Sequence, residues 1–138
     1  MNRYISLLMT IVVPIMFTNC EFDTTDQFDE KSSKEILTSN VWYYADTPAD
    51  KYIMSEFTAY RLSQNVYEDA SFSNVIYSKK YTVQYNGDIL YLQDEYGQHV
   101  CNFTTCQNHD WIAISCDGGT VYIEGWRTKS LALSHSAK

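Results

Sequence analysis

The sequence predicts an all-β domain, an antiparallel up-and-down meander of about eight strands that closes into a barrel or a flattened sandwich. Three observations predict it. Apolar residues recur at every second position, in short runs divided by turn residues. Aromatic residues make up 15% of the chain, with twelve tyrosines, and aromatic side chains favour sheets. Glycine-containing turns align neighbouring strands so that one face of each hairpin is apolar.

The first segment in chain order, residues 1–19, is typical of a secretory signal peptide. Arg3 supplies its positive charge, and an uncharged apolar run of 13 residues follows from residue 5 to residue 17. A membrane-spanning helix needs about 20 such residues, whereas the core of a signal peptide needs roughly 7–15. Pro14, late in the run, also disfavours a stable helix. We therefore expect an exported protein.

The tetrapeptide FTNC at residues 17–20 resembles the lipobox of bacterial lipoproteins, although Phe17 and Asn19 depart from its usual residues. The resemblance implies that Cys20 becomes the lipidated amino terminus, with acyl chains such as palmitate. Two or more chains give stable anchoring, so we expect a lipid anchor in the outer membrane, on its periplasmic or its surface face. The alternative is an ordinary secreted protein in which Cys20 is one more thiol.

Behind the leader, the sequence predicts an acidic tether over residues 20–35, a barrel domain over 36–130 and a polar tail over 131–138. The 138-residue chain less 19 leaves 119 residues, enough for one domain. Loss of Arg3 takes the formal net charge from −7 to −8. This charge argues against nucleic acid as a partner, because phosphate binding needs clustered Lys and Arg.

The barrel domain is predicted to open with a helical turn at residues 33–37, capped by Ser32 or Ser33. The strands that follow share an alternating apolar pattern. They are placed at residues 40–46, 52–60, 63–70, 74–85, 88–94, 98–105, 111–116 and 121–127.

Asn86-Gly87 is a strong signal for a two-residue hairpin loop of type I′. Such a loop would pair Val83 with Leu90, and Tyr81 with Leu92, on one apolar face. A three-residue loop would pair Gln84 with Leu90 instead, so we prefer the two-residue loop.

Gly118-Gly119 gives a second loop, which pairs Ile114 with Ile123 and Cys116 with Val121. In the preceding hairpin, the apolar pattern opposes Phe103 to Ile114. The same alignment opposes Cys101 to Cys116, at a separation that suits a disulfide.

Three cysteines remain once Cys20 is set aside for lipid, an odd number for an oxidising compartment. We expect a Cys101–Cys116 disulfide, with Cys106 left as a spare thiol near Trp111. The alternative is a zinc site formed by these three cysteines and His109. Its spacings lack the close Cys pairs of structural zinc sites, so no metal or cofactor is predicted.

Residues 37–42 (LTSNVW) and 81–92 (YTVQYNGDILYL) are similar to the opening and the middle hairpin of lipocalin-like domains in small Bacteroidetes lipoproteins. The resemblance covers roughly residues 36–127. It implies an eight-stranded barrel and no particular chemistry, because a fold does not carry a function by itself.

The sequence contains no recognisable catalytic motif, and the three histidines show no triad spacing. We therefore predict a non-enzymatic binding protein of the cell envelope, which binds a partner protein or a small apolar ligand. An accessory subunit of an outer-membrane complex, with no ligand cavity, is the alternative, and a small hydrolase is disfavoured. Surplus aromatic residues suggest a binding face. Its candidates are Tyr43, Tyr91, Trp111, Tyr122 and Trp126.

Overall fold

The computed structural model describes residues 32–136, so the predicted signal peptide, Cys20 and most of the tether lie outside the described residues. Eight antiparallel strands follow one another around a closed barrel, which confirms the predicted all-β meander. The strands are β1 (Val41–Asp46), β2 (Lys51–Phe57), β3 (Arg61–Tyr67), β4 (Val75–Asn86), β5 (Ile89–Asp94), β6 (Gly97–Thr105), β7 (Trp111–Cys116) and β8 (Val121–Trp126). Short helices precede and follow them: α1 (Ser33–Thr38) and α2 (Lys129–Ser134).

Helix α1 closes one end of the barrel. Ser32, one of the two predicted cap residues, caps it in a reciprocal capping box with Glu35. Leu37 is fully buried, and its carbonyl accepts a hydrogen bond from Trp42 Nε1 at 3.0 Å. Ser33 Oγ donates to the carbonyl of Gly87 at 2.6 Å, which ties α1 to the β4–β5 turn. We call this end of the barrel the α1 end.

The interior at the α1 end is packed with large apolar side chains that come from every strand. They are Trp42, Phe57, Leu62, Tyr81, Val83, Leu90, Leu92, Phe103, Ile112, Ile114 and Ile123, together with Ile36 and Leu37 of α1. Each exposes 8% or less of its surface. The face that the sequence assigned to the core is confirmed, since Thr82 and Gln84 point outward.

The β4–β5 register differs from the predicted one by two residues. Val83 lies opposite Leu92 rather than Leu90, because the loop consists of Gly87 and Asp88 instead of Asn86 and Gly87. Of these two loop residues only Gly87 has a positive φ, 64°, whereas a type I′ turn needs two. A shift of two residues leaves every side chain on the same face, so the apolar pattern could not detect the error.

The predicted register of the last three strands is confirmed. Phe103 lies opposite Ile114, and Ile114 opposite Ile123. Cys101 lies opposite Cys116, and the two form the predicted disulfide.

The prediction of a spare thiol at Cys106 is wrong, because Cys106 is disulfide-bonded as well. The described residues contain no free cysteine. The prediction had set Cys20 aside for lipid, and this step alone made the number of remaining thiols odd. The Cys101–Cys116 bridge also takes two of the four side chains that the zinc alternative required.

The carboxyl-terminal segment differs from the expected polar tail. Helix α2 begins after Thr128, whose side chain caps it, and packs on the outside of β1 and β8. Ala132 is 1% exposed, and the His135 ring stacks on Trp126 with the centroids 3.9 Å apart. Ser136 Oγ accepts a hydrogen bond from the backbone N–H of Thr47. The helix covers an outer surface of the barrel that would otherwise expose aromatic rings.

Candidate binding site at the charged end of the barrel

The interior changes character at the end opposite α1. Lys79, Asp94 and His99 lie there on β4, β5 and β6, at positions with the same inward parity as Tyr81, Leu92 and Cys101. Asp117, at the start of the β7–β8 loop, joins them. We call Lys79, Asp94, His99 and Asp117 the charged cluster, and this end of the barrel the charged end.

The four side chains form a continuous chain of ion pairs. Lys79 Nζ and His99 Nε2 each lie 3.3 Å from Asp94 Oδ2, and His99 Nδ1 lies 2.6 Å from Asp117 Oδ2. Two backbone amides hold the other carboxylate oxygens. Tyr96 N–H donates to Asp94 Oδ1 at 2.8 Å, and Val100 N–H donates to Asp117 Oδ1 at 3.2 Å.

These contacts shift the pKa values in a consistent direction. The hydrogen bond to Asp117 raises the pKa of His99, against the opposing effect of burial, and Asp94 adds to the rise. Burial acts to raise the pKa of Asp94, but the Tyr96 amide, Lys79 and His99 together lower it. Hydrogen bonding to His99 likewise lowers the pKa of Asp117. The arrangement therefore favours two carboxylates, one ammonium and one imidazolium, a set whose charges cancel.

The geometry limits what His99 can do chemically. Both of its ring nitrogens face carboxylates, Asp117 on one side and Asp94 on the other. A general base needs a free nitrogen, and because both nitrogens of His99 are engaged, the side chain is poorly suited to accept a proton from a substrate. The cluster instead resembles a structural or recognition element with compensated charge.

Aromatic rings stand around the charged cluster, and two of them are exposed. The Lys79 ammonium lies 5.0 Å from the ring centroid of Tyr81 and 5.9 Å from that of Tyr96. Tyr96 is 82% exposed and Tyr77, two residues before Lys79, is 58% exposed. Rings of this kind provide contact area at interfaces at a low cost in conformational entropy.

The five aromatic residues predicted as a binding face do not form one surface. Trp126 is buried beneath α2, and Tyr43, its partner across the β1–β8 seam, packs on Phe72 with ring centroids 5.3 Å apart. The ring centroids of Trp111 and Trp126 lie 6.3 Å apart, and Trp111 Nε1 donates a hydrogen bond to Glu124 Oε2 at 2.8 Å. They belong to an outer cluster that α2 and the β3–β4 loop cover.

Of the other two, Tyr122 is 54% exposed on β8. Tyr91 lies half-buried in a shallow groove of about 200 Å³ on the outside of β4, β5 and β6. Gln84 and Gln93 line the same groove, and Tyr60 stands at its edge. Whether any of these rings contacts a partner stays a prediction.

Sequence reasoning did not identify the charged cluster. A signal was present, because Lys79 and His99 occupy inward positions of strands whose alternation is otherwise apolar. That alternation could have singled them out, since an ionisable side chain at a core position needs a partner. The contact with Asp117 could not have been found in this way, because it depends on how the β7–β8 loop folds back over β6.

Comparisons with known proteins do not assign the chain to a family. No family matches the chain, and no curated protein or solved structure matches it either. Within residues 32–136 no group of three or more His, Cys, Asp or Glu side chains is placed to hold a metal ion. Within the same range, no helix has the length and apolar character needed to cross a membrane.

Proposed function

We propose that this chain is a lipid-anchored, non-enzymatic binding protein of the bacterial cell envelope, whose barrel holds a partner protein close to the outer membrane. The anchor is Cys20, and the signal peptide over residues 1–19 directs export. Support comes from the sequence of the amino terminus and from the two unlike ends of the barrel.

The observation that carries the choice of a protein partner is the filled interior of the α1 end. Trp42, Leu90, Ile112 and Ile114 are fully buried there, and they occupy the space that an apolar ligand would need. The exposed aromatic rings lie elsewhere, at the charged end and on the outer wall. This distribution supports an accessory subunit that binds a partner protein, and it disfavours a carrier of small apolar molecules.

The absence of catalysis is part of the proposal, and its support is the state of His99. With both ring nitrogens held by carboxylates, the side chain most suited to acid–base chemistry at neutral pH is already engaged. The charged cluster then serves to fix the shape of the charged end.

Mass spectrometry of the mature protein tests the anchor. We expect an acylated amino-terminal Cys20 and no residues 1–19, and Cys20→Ala should release the protein from the membrane or leave it as a precursor. An unmodified amino terminus at another position would contradict the lipid anchor and leave export intact.

The state of Cys106 offers a second measurement. The chain has four cysteines, so an intramolecular disulfide at Cys106 and a lipid thioether at Cys20 would compete for the same sulfur. If Cys20 carries lipid, its sulfur is not available to Cys106, and the disulfide at Cys106 should link the chain to another protein. Full protection of Cys106 in a monomeric, non-lipidated chain would contradict the proposal.

Partner binding is tested by cross-linking in native membranes. The full chain should yield a defined cross-linked protein, and the cross-links should map to the charged end or the outer wall of the barrel. A chain that stays uncross-linked at every surface position would contradict the assembly role.

A further inference from the structure

Strand β4 is twice as long as the strand that follows it. It has 12 residues, whereas β5 has six. The pairs between them run only from Asn86 opposite Ile89 to Thr82 opposite Gln93. On its other side β4 stays paired with β3 as far as Val75. Residues 75–81 therefore have a neighbouring strand on one side, and no described strand pairs with their other side.

The backbone of this stretch points alternately to its two sides. Val83 N–H donates to the carbonyl of Tyr60 at 2.9 Å, which is the side of β3. In an antiparallel ladder every second residue directs its N–H and C=O to the same neighbour, so Tyr81 and Lys79 also face β3. Ser78 and Lys80 then direct their N–H and C=O groups to the open side. A bulge opposite Val66 and Tyr67 ends this regular stretch at Tyr77.

Apolar side chains are concentrated around this open edge. Val75 is 49% exposed, Ile76 65%, and Tyr77 58%. Tyr96, in the β5–β6 turn beside it, is 82% exposed. Half of the eight large hydrophobic residues that the described chain exposes thus lie along one short strand edge and the turn beside it. An exposed apolar edge with free backbone groups is a template for an added strand.

The charge of the edge indicates what kind of segment it accepts. Lys80 is exposed and makes no ion pair with a described residue, while Lys79 is neutralised by Asp94. A second copy of the chain, paired edge to edge, would bring the lysines of both copies to one seam. A strand with an acidic side chain opposite Lys80 would form a favourable cross-strand pair instead. The exposed charge of Lys80 therefore favours an acidic residue opposite it over a second copy of the same edge.

We propose that the edge of β4 at Ser78 and Lys80 binds an extended acidic segment of a partner protein, which adds a strand to the barrel wall. The segment alternates acidic side chains, which pair with Lys80 on the outer face, with apolar ones, which contact Tyr77 and Tyr96. This inference rests on the proposed function in one respect, that the partner is a protein.

Amide hydrogen exchange measured by NMR on the full chain tests the inference. The probe is a capped seven-residue peptide of alternating Glu and Val, and its counterpart with Lys in place of Glu is the control peptide. In the free protein, the amides of Ser78 and Lys80 should exchange at least tenfold faster than those of Tyr77 and Lys79, which bond to β3. The Glu peptide should slow exchange at Ser78 and Lys80 alone, and the Lys peptide should not.

Two pairs of matched variants separate backbone from side-chain effects. Ser78→Pro removes the N–H from the open edge and should abolish binding of the Glu peptide, whereas Ser78→Ala removes only the hydroxyl and should bind it normally. Lys80→Glu should weaken binding by about two- to fivefold, the usual range for a cross-strand charge pair. Lys51→Glu, on β2, is a charge reversal at another exposed position and should leave binding unchanged.

Exchange at Ser78 and Lys80 that the Glu peptide leaves unchanged would overturn the inference, as would a dimer that protects these amides without peptide. The outcome can be distinguished from failure of the proposed function. Membrane cross-links to a partner that map to Tyr122 or the outer groove, with no protection at the β4 edge, would retain the assembly role and reject this edge. Peptide binding at the β4 edge, together with a mature amino terminus that carries no acyl group at Cys20, would retain the edge and reject the anchor.

Discussion

The two ends of the barrel interior are formed by the same strands, but the inward side chains are apolar at one end and ionisable at the other. On β4, the inward positions change from Val83 at the α1 end to Lys79 at the charged end, and on β6 they change from Phe103 to His99. Four residues along a strand correspond to about 13 Å. Within that distance, the interior passes from fully buried apolar side chains to a compensated ion cluster.

The difference assigns different roles to the two ends. Apolar burial contributes roughly 25 cal/mol for each Å² removed from water, so the α1 end provides most of the folding free energy. Ion pairs near a protein surface contribute little, because the ions lose hydration when they pair. The charged cluster is therefore better understood as a device that fixes shape and charge where a partner can reach them.

Truncation of matched isoleucines should give the largest contrast between the ends. Ile114→Ala, at a fully buried position, should lower the free energy of unfolding by about 2–5 kcal/mol. Ile53→Ala, at an inward position that is only half-buried, should lower the free energy of unfolding by clearly less, because solvent and neighbouring side chains can fill the space. Urea denaturation measures both, and equal losses would show that the two ends are equally packed.

Loss of the Cys101–Cys116 bridge should rank next. The bridged residues are 15 apart in sequence, for which chain entropy predicts a loss of about 3 kcal/mol. The double variant Cys101→Ala/Cys116→Ala should show this loss in urea denaturation. Cys106→Ala is the control, because it also removes a cysteine and leaves this loop closed. A larger effect for Cys106→Ala would show that the Cys101–Cys116 bridge is not the main covalent constraint on the fold.

Crowding at the β1–β8 seam should have an effect of about 1–3 kcal/mol, the usual range for overpacking. A Cβ atom at Gly125 would lie 2.6 Å from Trp42 Cβ, so the two strands approach too closely for a side chain there. Gly125→Ala should therefore destabilise the barrel. Gly118 lies in the β7–β8 turn with open space around it, so Gly118→Ala should lose stability only because alanine is strained at a φ of 71°. Thermal unfolding of the two variants separates contact from backbone strain.

Much of the fold was predictable from the sequence, because alternation of apolar residues reports which face of a strand is buried. It placed Ile114, Ile123 and Phe103 correctly, and the same parity located the disulfide. Parity repeats every two residues, so it could not distinguish Val83 opposite Leu90 from Val83 opposite Leu92. That choice depends on the conformation of Gly87 and on its contact with Ser33.

The candidate site was less predictable, because its contacts join residues far apart in sequence. Asp94 ends the predicted strand at residues 88–94 and Asp117 follows the one at 111–116, and their meeting at His99 requires the barrel to close. The outer aromatic cluster was missed for a similar reason. Trp126 looked exposed until a helix from the expected tail was found to cover it.

The smallest of the expected effects is the pH dependence at the charged end, and its sign can be worked out. The pKa of His99 is raised above its ordinary 6.5, so its contribution to stability is present below that value and is lost as pH rises through the folded pKa. The pKa values of Asp94 and Asp117 are lowered below their ordinary 3.8. These two residues therefore contribute stability above that pH, and the contribution is lost as pH falls through the folded pKa values. The cluster is therefore most stabilising between these two limits, around pH 5–6.

Thermal unfolding of His99→Gln between pH 5 and pH 9 measures this effect. Glutamine keeps a donor for one carboxylate but does not titrate, so the wild-type advantage in Tm, of the order of a few °C at pH 5–6, should shrink as pH rises. Lys79→Gln is the matched control. Tyr81 and Asp94 raise the pKa of Lys79 despite its burial, so Lys79 stays charged and its contribution should be constant over this range. A His99→Gln difference that does not change with pH would mean that His99 stabilises the charged end by packing, as residues do at the α1 end, and not by charge.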